Sequence, residues 1–461
     1  MTQTFPPPQT PTLNGNNTNS RSSVLAANSR SAALADFDRA EERVVEGQLH
    51  QRLIRELDDT AMRSLAPEHR REMVERALRT LATDYFPNLV GDMKEEAIAH
   101  VVDEVVGLGP IEPLLRDGTI SEVMVNSPTE IYYERDGVIY ESDVTFVDEA
   151  HVMRVVDRIV SSIGRHVDEA SPMVDARLPD GSRVNIIIPP LAPRSAAITI
   201  RKFRLDRLTI ENLVAIGSMT ENMAKLLEGC VRAKLNTVVS GGTGSGKTTL
   251  LNALSAFLSP SERIVTIEDP LELRLQQRHW IPLEARPPST EGRGEVTQRD
   301  LVRNALRMRP DRIIVGEVRG PEAFDMLQAM NTGHEGSLTT VHANSPRDAL
   351  GRIESMVLMA GFDLPVAAIR EQAASALHVI VQLARLSDGS RRVTHVTEVA
   401  GMEGHLVTLQ DIFAFRQEGI APDGKVIGEL RATGIRPRFA ERIKSFGFDL
   451  DEDVFETSRW N

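Results

Sequence analysis

Cysteine is nearly absent from this chain of 461 residues, since Cys230 is its only one. A disulfide framework and a cysteine-rich metal site are therefore excluded, and a reducing compartment fits. The chain has no apolar run that approaches the ~20 residues needed to span a bilayer. Its N-terminus lacks the basic-then-apolar pattern of a signal peptide. We expect a cytoplasmic protein that meets a membrane only through a partner.

Basic residues are fewer than acidic ones, with 53 Lys and Arg against 66 Asp and Glu, so the formal net charge is −13. This balance argues against nucleic acid as the main partner. Charged residues make up 26% of the chain and hydrophobic residues 41%, which is typical of a soluble globular protein. The length is sufficient for about two to four domains with their own cores.

The first part of the chain changes character three times. Residues 1–35 are rich in Pro, Asn, Thr and Ser and poor in large apolar groups, so we expect a disordered tail. A helical period over residues 36–108 predicts a three-helix bundle. Short strands and one helix predict a mixed α/β domain over residues 109–203. The short polar segment 204–209 is expected to be an interdomain linker.

Strands and helices alternate from residue 210 to about 430, which predicts a doubly wound, mainly parallel α/β sheet. The predicted core strands are Thr237–Ser240, Ile264–Ile267, Ile313–Val315, Leu338–Val341 and Val379–Leu383. A hairpin over residues 393–399 and 405–413 is expected to extend the sheet. Residues 431–461 form a C-terminal extension without an assigned fold. The predicted fold class is α/β, with a larger domain that follows a smaller mixed domain and a helical bundle.

The sequence VVSGGTGSGKTTLL, from Val238 to Leu251, enters a glycine-rich turn from an apolar run and leaves it into a helix. It matches GxxxxGK[ST] in the strand–loop–helix context that the motif requires, so an ordinary Gly-rich turn would match by chance only. The glycines let backbone N–H groups converge, and the helix start and Lys247 add positive charge for the β- and γ-phosphates of a nucleotide. The Thr248 hydroxyl is placed for Mg²⁺. The predicted phosphate-binding residues are Gly241, Gly242, Thr243, Gly244, Ser245, Gly246, Lys247, Thr248 and Thr249.

Two carboxylates, Glu268 and Asp269, follow the apolar run Val265–Ile267. Acids at the end of a strand could hold Mg²⁺ or its waters through oxygen. They could equally cap the next turn, and the sequence leaves both interpretations open.

A second strand end, in Arg312-Ile-Ile-Val-Gly-Glu317, lies where a Walker B carboxylate belongs after a P-loop. Gly316 takes the position of the usual aspartate, so direct Mg²⁺ binding moves to Thr248 and to Glu268. Glu317 becomes the candidate base that orients and deprotonates the attacking water. The alternative is an acid at the edge of the sheet without a catalytic role.

Two histidines, His334 and His342, flank the predicted strand Leu338–Val341. A zinc site needs three or four ligands, and no cysteine or third histidine is close in the sequence. The Gly-rich approach and the position after the Walker B strand favour a polar sensor of the γ-phosphate.

Arginines form two groups. Arg299, Arg303 and Arg307 are expected on one face of a helix that Thr297 caps, as a solvated basic face, and a subunit interface is the second interpretation. Nothing aromatic interleaves them, which disfavours nucleic-acid binding. In the preceding domain Arg183 and Arg201 lie on or beside strands. Each could reach a phosphate as an arginine finger does, and a structural salt bridge is at least as good an interpretation.

Taken together and in this order, the P-loop, EDPLEL, RIIVGEVRG and TGHEGSLTTVHANS resemble the secretion ATPase superfamily that drives type II and type IV secretion and type IV pili. The glycine before the Walker B glutamate is typical of that family. Within it, PDRIIVGEVRGPEAFDMLQAMNTGHEGSLTTVHANSPRDAL and LPDGSRVNIIIPPLAP are similar to the CpaF-like ATPases of tight-adherence (Tad/Flp) pili. The resemblance covers about residues 100 to 420.

The resemblance implies an N-terminal domain, a flexible linker and a RecA-like motor domain that binds ATP and Mg²⁺. Six copies would form a ring that acts on an inner-membrane platform protein and, through it, on pilin. Within the family pattern the Walker A, Asp-box, catalytic and His-box positions fall on Gly241, Gly246, Lys247, Thr248, Thr249, Glu268, Asp269, Glu317, His334 and His342. The family's γ-phosphate arginines of the N-terminal domain correspond to Arg183 and Arg201.

Three other functions stay open at this point. The traffic ATPase of a type IV secretion system has the same active-site motifs. A RecA-like nucleic-acid translocase would share the P-loop, although the acidic balance and the missing aromatic platform count against it. A nucleotide-binding scaffold without turnover is the third.

Overall fold

The computed structural model describes residues 45–53, 55, 67–135, 137–203, 208–288 and 293–456. The chain divides into two compact units, residues 1–204 and 205–461. The predicted tail over 1–35 lies outside the described residues, as do residues 204–207 of the predicted linker. The proposed domain boundaries therefore stay predictions.

The described part of the first unit begins with helices. Residues 45–53 are helical, and they are followed by α1 (Pro67–Tyr85) and α2 (Asp92–Val105). Apolar side chains at helical spacing bury one stripe of each helix, and Leu49, Val74 and Leu78 are fully buried. This shared apolar core is what holds the three helical segments together.

The rest of the first unit is an antiparallel sheet with the helix α4 packed on one face. Its elements are α3 (Glu112–Arg116), β1 (Ile120–Ser127), β2 (Glu130–Arg135), β3 (Val138–Glu141), α4 (Glu149–Ser162), β4 (Met173–Arg177), β5 (Arg183–Ile187) and β6 (Ala197–Arg201). The strand order is β3-β2-β1-β6-β5-β4. Alternate residues such as Val184 and Ile186 face the core, so Arg183 and Asn185 of the same strand lie on the opposite face.

The second unit alternates helices and strands. Its helices are α5 (Ile210–Ala215), α6 (Glu221–Arg232), α7 (Lys247–Ser255), α8 (Gln298–Ala305), α9 (Glu322–Asn331), α10 (Pro346–Leu358), α11 (Val366–Ala376) and α12 (Ala440–Ser445). Its strands are β7 (Thr237–Gly241), β8 (Ile264–Glu268), β9 (Trp280–Glu284), β10 (Arg312–Val318), β11 (Leu338–Val341), β12 (Val379–Arg385), β13 (Arg391–Glu403), β14 (Leu406–Ile420) and β15 (Val426–Ala432).

These nine strands form one sheet in the order β15-β14-β13-β12-β7-β11-β10-β8-β9. The pairs from β12 to β9 are parallel, and β13 to β15 continue the sheet as antiparallel hairpins. Apolar cores cover both faces of the parallel part, because neighbouring residues such as Val238 and Val239 belong to different cores. Strands buried on both faces explain why these segments read as continuous apolar runs.

The predicted α/β fold class is confirmed, and each predicted core strand lies within an observed one. The prediction for Arg307 is wrong, since α8 ends at Ala305 and Arg307 lies in the following turn. The edge strands β9 and β15 were not predicted. Within the described ranges, none of the helices combines the length and the apolarity that a bilayer crossing demands.

Candidate active site

The carboxyl ends of β7, β8, β10 and β11 meet at one edge of the sheet of the second unit, called here the carboxyl edge. Loops that leave this edge are where an open parallel α/β sheet binds its ligands. The P-loop motif lies there, together with the predicted site residues Glu268, Asp269, Glu317 and His342.

The P-loop connects β7 directly to α7. Gly244 and Gly246 have positive φ angles of 68° and 96°, a left-handed conformation that favours glycine. This backbone path brings Lys247 to the first position of α7. The first N–H groups of a helix have no partner within it, so they are available to an anion in the loop.

Glycine at position 241 has a steric cause. A Cβ atom there would lie 2.4 Å from the Ser245 Oγ and 2.8 Å from the Leu383 carbonyl oxygen. The Ser245 hydroxyl itself donates to the Gly242 carbonyl at 2.9 Å. The loop is therefore folded back on its own strand and closed by an internal hydrogen bond.

The threonines of the motif are accessible. Thr243 is exposed in the loop, and Thr248 and Thr249 are half-buried in the first turn of α7. Their positions are consistent with contact to a ligand held above the helix N-terminus.

Lys247 is directed into the carboxyl edge. Its Nζ donates to the carbonyl oxygens of Gly241 at 3.1 Å and Gly242 at 3.2 Å, and lies 3.7 Å from Glu317 Oε1. Burial lowers the pKa of the Lys247 ammonium, and the negative charge of Glu317 opposes that shift. The lysine and the glutamate predicted from separate motifs thus meet.

Glu317, in β10, is held from two further directions. Arg319 Nε donates to its Oε2 at 2.8 Å. The amide of Gln298, oriented with its nitrogen toward Glu317, donates to the Glu317 carbonyl at 3.0 Å and accepts from the Asp269 N–H at 3.3 Å. The Glu317 carboxylate is therefore flanked by the cations Lys247 and Arg319. Its backbone is linked through Gln298 to Asp269, which follows β8.

Glycine at position 316 is explained by the neighbouring strand. A Cβ atom at Gly316 would lie 2.7 Å from Glu268 Cγ and 3.1 Å from Glu268 Oε1. The side chain of Glu268 therefore occupies the space that a Walker B aspartate would need.

Glu268 is buried, and its Oε1 accepts the N–H groups of Glu272 and Leu273 at 2.9 Å each. Burial raises the pKa of its carboxyl to about 7, against the effect of those two donors. Among the described residues its Oε2 has no hydrogen-bond partner. The unpaired Oε2 fits contact with a bound ligand. The Oε1, in contrast, caps the following turn, which is the alternative role that the sequence analysis left open. Both interpretations of Glu268 are therefore compatible with the structure.

The two histidines lie at opposite ends of β11. His342 follows the strand at the carboxyl edge and is exposed. His334 precedes it at the amino edge, where its carbonyl accepts the Ser337 hydroxyl at 2.8 Å. The structure does not bring His334 to the P-loop of its own chain, so its sensing role stays a prediction without support from contacts at that edge.

The arginines of the first unit are neighbours across strands. Arg183 pairs with Arg201 across β5 and β6, and with Arg177 across β4 and β5. Arg201 Nε also lies 3.7 Å from Glu122 Oε1. Three arginines thus occupy adjacent register positions across β4, β5 and β6, and the predicted γ-phosphate role of Arg183 and Arg201 stays a prediction.

The basic helix face of the second unit has a structural role. Arg299 and Arg303 both donate to the Asp325 carboxylate, at 2.7 and 2.8 Å. These ion pairs join α8 to α9. Arg303 is exposed, as the predicted solvated face requires, whereas Arg299 is half-buried.

Sequence reasoning missed two residues of this edge. Arg319 lies two positions after Glu317 in the same segment, so alternation along a strand could have suggested it. Gln298 gave no signal, because its contacts join residues that are remote in sequence.

Comparison with known proteins agrees with this site. The family described as "Type II/IV secretion system protein" matches residues 104–427. The putative conjugal transfer protein Rv3659c of Mycobacterium tuberculosis (strain H37Rv) is 38% identical over 349 residues, which is 74% of this chain and 98% of that protein. The type IV secretion system protein PtlH of Bordetella pertussis is 36% identical over 314 residues, 62% of this chain and 91% of that protein.

Among solved structures, the VirB11 ATPase of the Brucella suis type IV secretion system is 31% identical and has a TM-score of 0.34. That alignment covers 62% of this chain and 94% of the other. The family match spans well over half of the sequence and includes the P-loop, Glu268, Glu317 and both histidines. The chain therefore belongs to the type II/IV secretion system protein family, and it is an ATPase.

Proposed function

We propose that this chain is the hexameric motor ATPase of a tight-adherence (Tad/Flp) type IV pilus and that it hydrolyses ATP to assemble the filament. The observation that carries the ATPase chemistry is the approach of Lys247 Nζ to Glu317 Oε1, at 3.7 Å. It places a phosphate-binding cation and a candidate general base at one point beside the P-loop.

The reaction follows from those two groups. Lys247 and the N–H groups at the start of α7 hold the β- and γ-phosphates. Glu317 takes a proton from a water molecule, whose oxygen forms a bond to the γ-phosphorus. The bond from that phosphorus to the bridging oxygen breaks, and ADP and phosphate leave. Arg319 keeps the Glu317 carboxylate oriented between turnovers.

The Thr248 hydroxyl and the Oε2 of Glu268, which has no hydrogen-bond partner among the described residues, are the groups that would hold Mg²⁺ or its waters. The ion, when bound, neutralises phosphate charge. Because Glu268 titrates near neutrality, its carboxylate must lose a proton to bind a cation well.

Mechanical work requires the first unit. We propose that Arg183 and Arg201 contact the γ-phosphate, so that ATP favours closure of the two units and hydrolysis releases it. In a ring of six copies, alternating closure would displace an inner-membrane platform protein and so move pilin subunits. The chain would reach the membrane only through such partners and would bind no nucleic acid directly.

The pilus assignment is supported by two sequence segments that are similar to the CpaF-like ATPases of Tad pili, one around the Walker B strand and the other LPDGSRVNIIIPPLAP. A second candidate is a traffic ATPase of type IV secretion or conjugation, because similar proteins carry the names conjugal transfer protein and type IV secretion system protein. Either function would use the same active site.

A test separates these options in the host. A strain that lacks this gene is complemented with the wild type or with Glu317→Gln, and surface filaments are counted by electron microscopy while transfer of plasmid or secreted protein is measured. We expect filaments to depend on Glu317 and transfer to be unchanged. Loss of transfer with intact filaments would favour the secretion candidate, and the genes that flank this one provide an independent check.

A further inference from the structure

The glycine-rich loop receives a hydrogen bond from a residue that no phosphate-binding motif includes. Arg391, the first residue of β13, donates from Nε to the Gly244 carbonyl at 2.8 Å. Its stem also lies beside the end of the loop, since a Cβ atom at Gly246 would be 3.7 Å from Arg391 Cδ. The two residues are 147 positions apart, so the contact is a product of the fold alone.

The backbone of Arg391 is fixed independently of the loop. The hydroxyl of the buried Ser218 donates to the Arg391 carbonyl at 2.6 Å, and the Ser218 backbone carbonyl accepts the Val393 N–H at 2.8 Å. The guanidinium therefore reaches the loop from a strand end whose backbone is held in place, which limits where its side chain can go.

A phosphate loop works when its N–H groups converge on the anion, which turns some of its carbonyls outward. Gly244 is exposed and has a left-handed φ of 68°, which glycine adopts readily because it has no Cβ atom. A charged donor on its carbonyl selects one orientation of that peptide before the nucleotide arrives, and it adds positive charge next to the cradle.

We propose that Arg391 is a positioning residue for nucleotide binding, which pre-orders the P-loop through the Gly244 carbonyl. It acts on affinity and not on the chemical step, because its hydrogen bond is made to the backbone of the loop, whereas the reacting groups are the side chains of Lys247 and Glu317. This inference rests on the proposed binding of ATP at the loop.

The adjacent residue supplies a matched control. Arg392 is on the same strand, and its guanidinium lies over the ring of Phe415, 5.3 Å from the centroid. Its replacement removes an arginine from the same hairpin without touching the loop.

The experiment compares four forms of the full chain: the wild type, Arg391→Met, Arg391→Lys and Arg392→Met. Calorimetry measures the Kd for ADP, and steady-state ATP hydrolysis measures KM and kcat. Arg391→Met should raise the ADP Kd and the KM for ATP about tenfold with kcat within about twofold. Arg391→Lys, which keeps a charged donor, should return both to within about threefold of the wild type. Arg392→Met should leave both unchanged.

An unchanged Kd in Arg391→Met, an equal effect of Arg392→Met, or a fall in kcat at constant KM would each overturn the proposal. Thermal unfolding without nucleotide shows whether Arg391→Met is folded; if it is not, Arg391→Gln takes its place with the same expected weakening. A wild type that neither binds ADP nor hydrolyses ATP would instead defeat the proposed function, so the two failures are distinguishable.

Discussion

The two edges of the ATPase sheet use the same residue types for different purposes. At the carboxyl edge the charged side chains of Lys247, Glu317 and Glu268 are only partly satisfied by the protein. Burial lowers the pKa of Lys247 and raises that of Glu268, and Glu268 Oε2 has no hydrogen-bond partner among the described residues. At the amino edge the buried charged and polar groups around Arg312 and Asn236 are hydrogen-bonded to the protein itself, although the buried Nδ1 of His334 has no partner among the described residues. Arg312 donates to Glu262 at 2.8 and 3.2 Å and to the Gly336 carbonyl at 3.2 Å.

Asn236 completes that engaged network. Its Oδ1 accepts the N–H groups of Gly336 and Ser337 at 2.8 and 3.0 Å, and its Nδ2 donates to the Ala376 carbonyl at 2.6 Å. Buried polar groups whose hydrogen bonds are all made within the protein stabilise the fold. Buried groups that lack a hydrogen-bond partner or have a shifted pKa are available to bind a ligand. The difference between the edges therefore predicts which substitutions affect turnover and which affect stability.

The largest effect on turnover is expected from Lys247→Met. It removes the cation that binds the phosphates, so ATP hydrolysis should fall by about a hundredfold to a thousandfold. Stability without nucleotide should not fall, because burial already disfavours the Lys247 ammonium. Hydrolysis assays and thermal unfolding of the same preparation measure both quantities. Normal turnover in this variant would refute the phosphate cradle.

The amino edge should respond in the opposite way to Arg312→Met. This substitution leaves Glu262 buried without its main partner, at a cost of about 3–5 kcal/mol in the free energy of unfolding. The kcat of the folded fraction should be unchanged. Denaturant titration measures the first quantity and single-turnover hydrolysis the second.

A double variant, Arg312→Met with Glu262→Leu, serves as the control for that prediction. It removes both buried charges, so much of the lost stability should return. A double variant that is no more stable than the single one would show that packing, and not the unpaired carboxylate, causes the loss.

Much of this division could be read from the sequence. The P-loop and the strand ends at Glu268 and Glu317 predicted the carboxyl edge, because the ligands of a parallel sheet gather where its strands end. The separation of the histidines was also available in principle: His334 precedes β11 and His342 follows it, and the flanks of one strand lie at opposite edges.

The rest depended on contacts between remote segments. Arg391 and Gln298 reach the site through strand order and helix packing, which local patterns do not encode. The steric reason for Gly316 is the side chain of Glu268 on a neighbouring strand, about fifty positions earlier in the chain. A glycine in a Walker B position can be seen in the sequence, but what fills its space cannot.

Glu268 gives a prediction of intermediate size that depends on pH. Its folded pKa is raised from 4.5 to about 7, so between these values the folded state binds a proton that the unfolded state has released. Stability should therefore fall as pH rises through this window, by about 3 kcal/mol at most. Denaturant unfolding at pH 5 and pH 7.5 measures the slope, and Glu268→Gln should reduce it.

Nucleotide binding sharpens the same test. A Mg²⁺ ion at Glu268 favours the ionised carboxylate, so binding of Mg²⁺ with ADP near pH 6.5 should release protons. Calorimetry in buffers of different ionisation enthalpy counts them. Equal proton release by the wild type and by Glu268→Gln would remove Glu268 from the metal site and leave it as the cap of the following turn.

The smallest expected effect compares the histidines directly. His342→Ala, at the carboxyl edge, should lower kcat about tenfold if its imidazole senses the γ-phosphate, which is the ordinary range for one polar contact in a transition state. His334→Ala, at the amino edge, should change kcat less than about twofold and act on stability instead, since its neighbours Gly336 and Ser337 belong to the Asn236 network. Steady-state hydrolysis and thermal unfolding of both variants decide the matter. A large loss of kcat in His334→Ala with normal stability would break the division between the edges, because a residue held at the amino end of β11 could then reach a phosphate only from another copy of the chain.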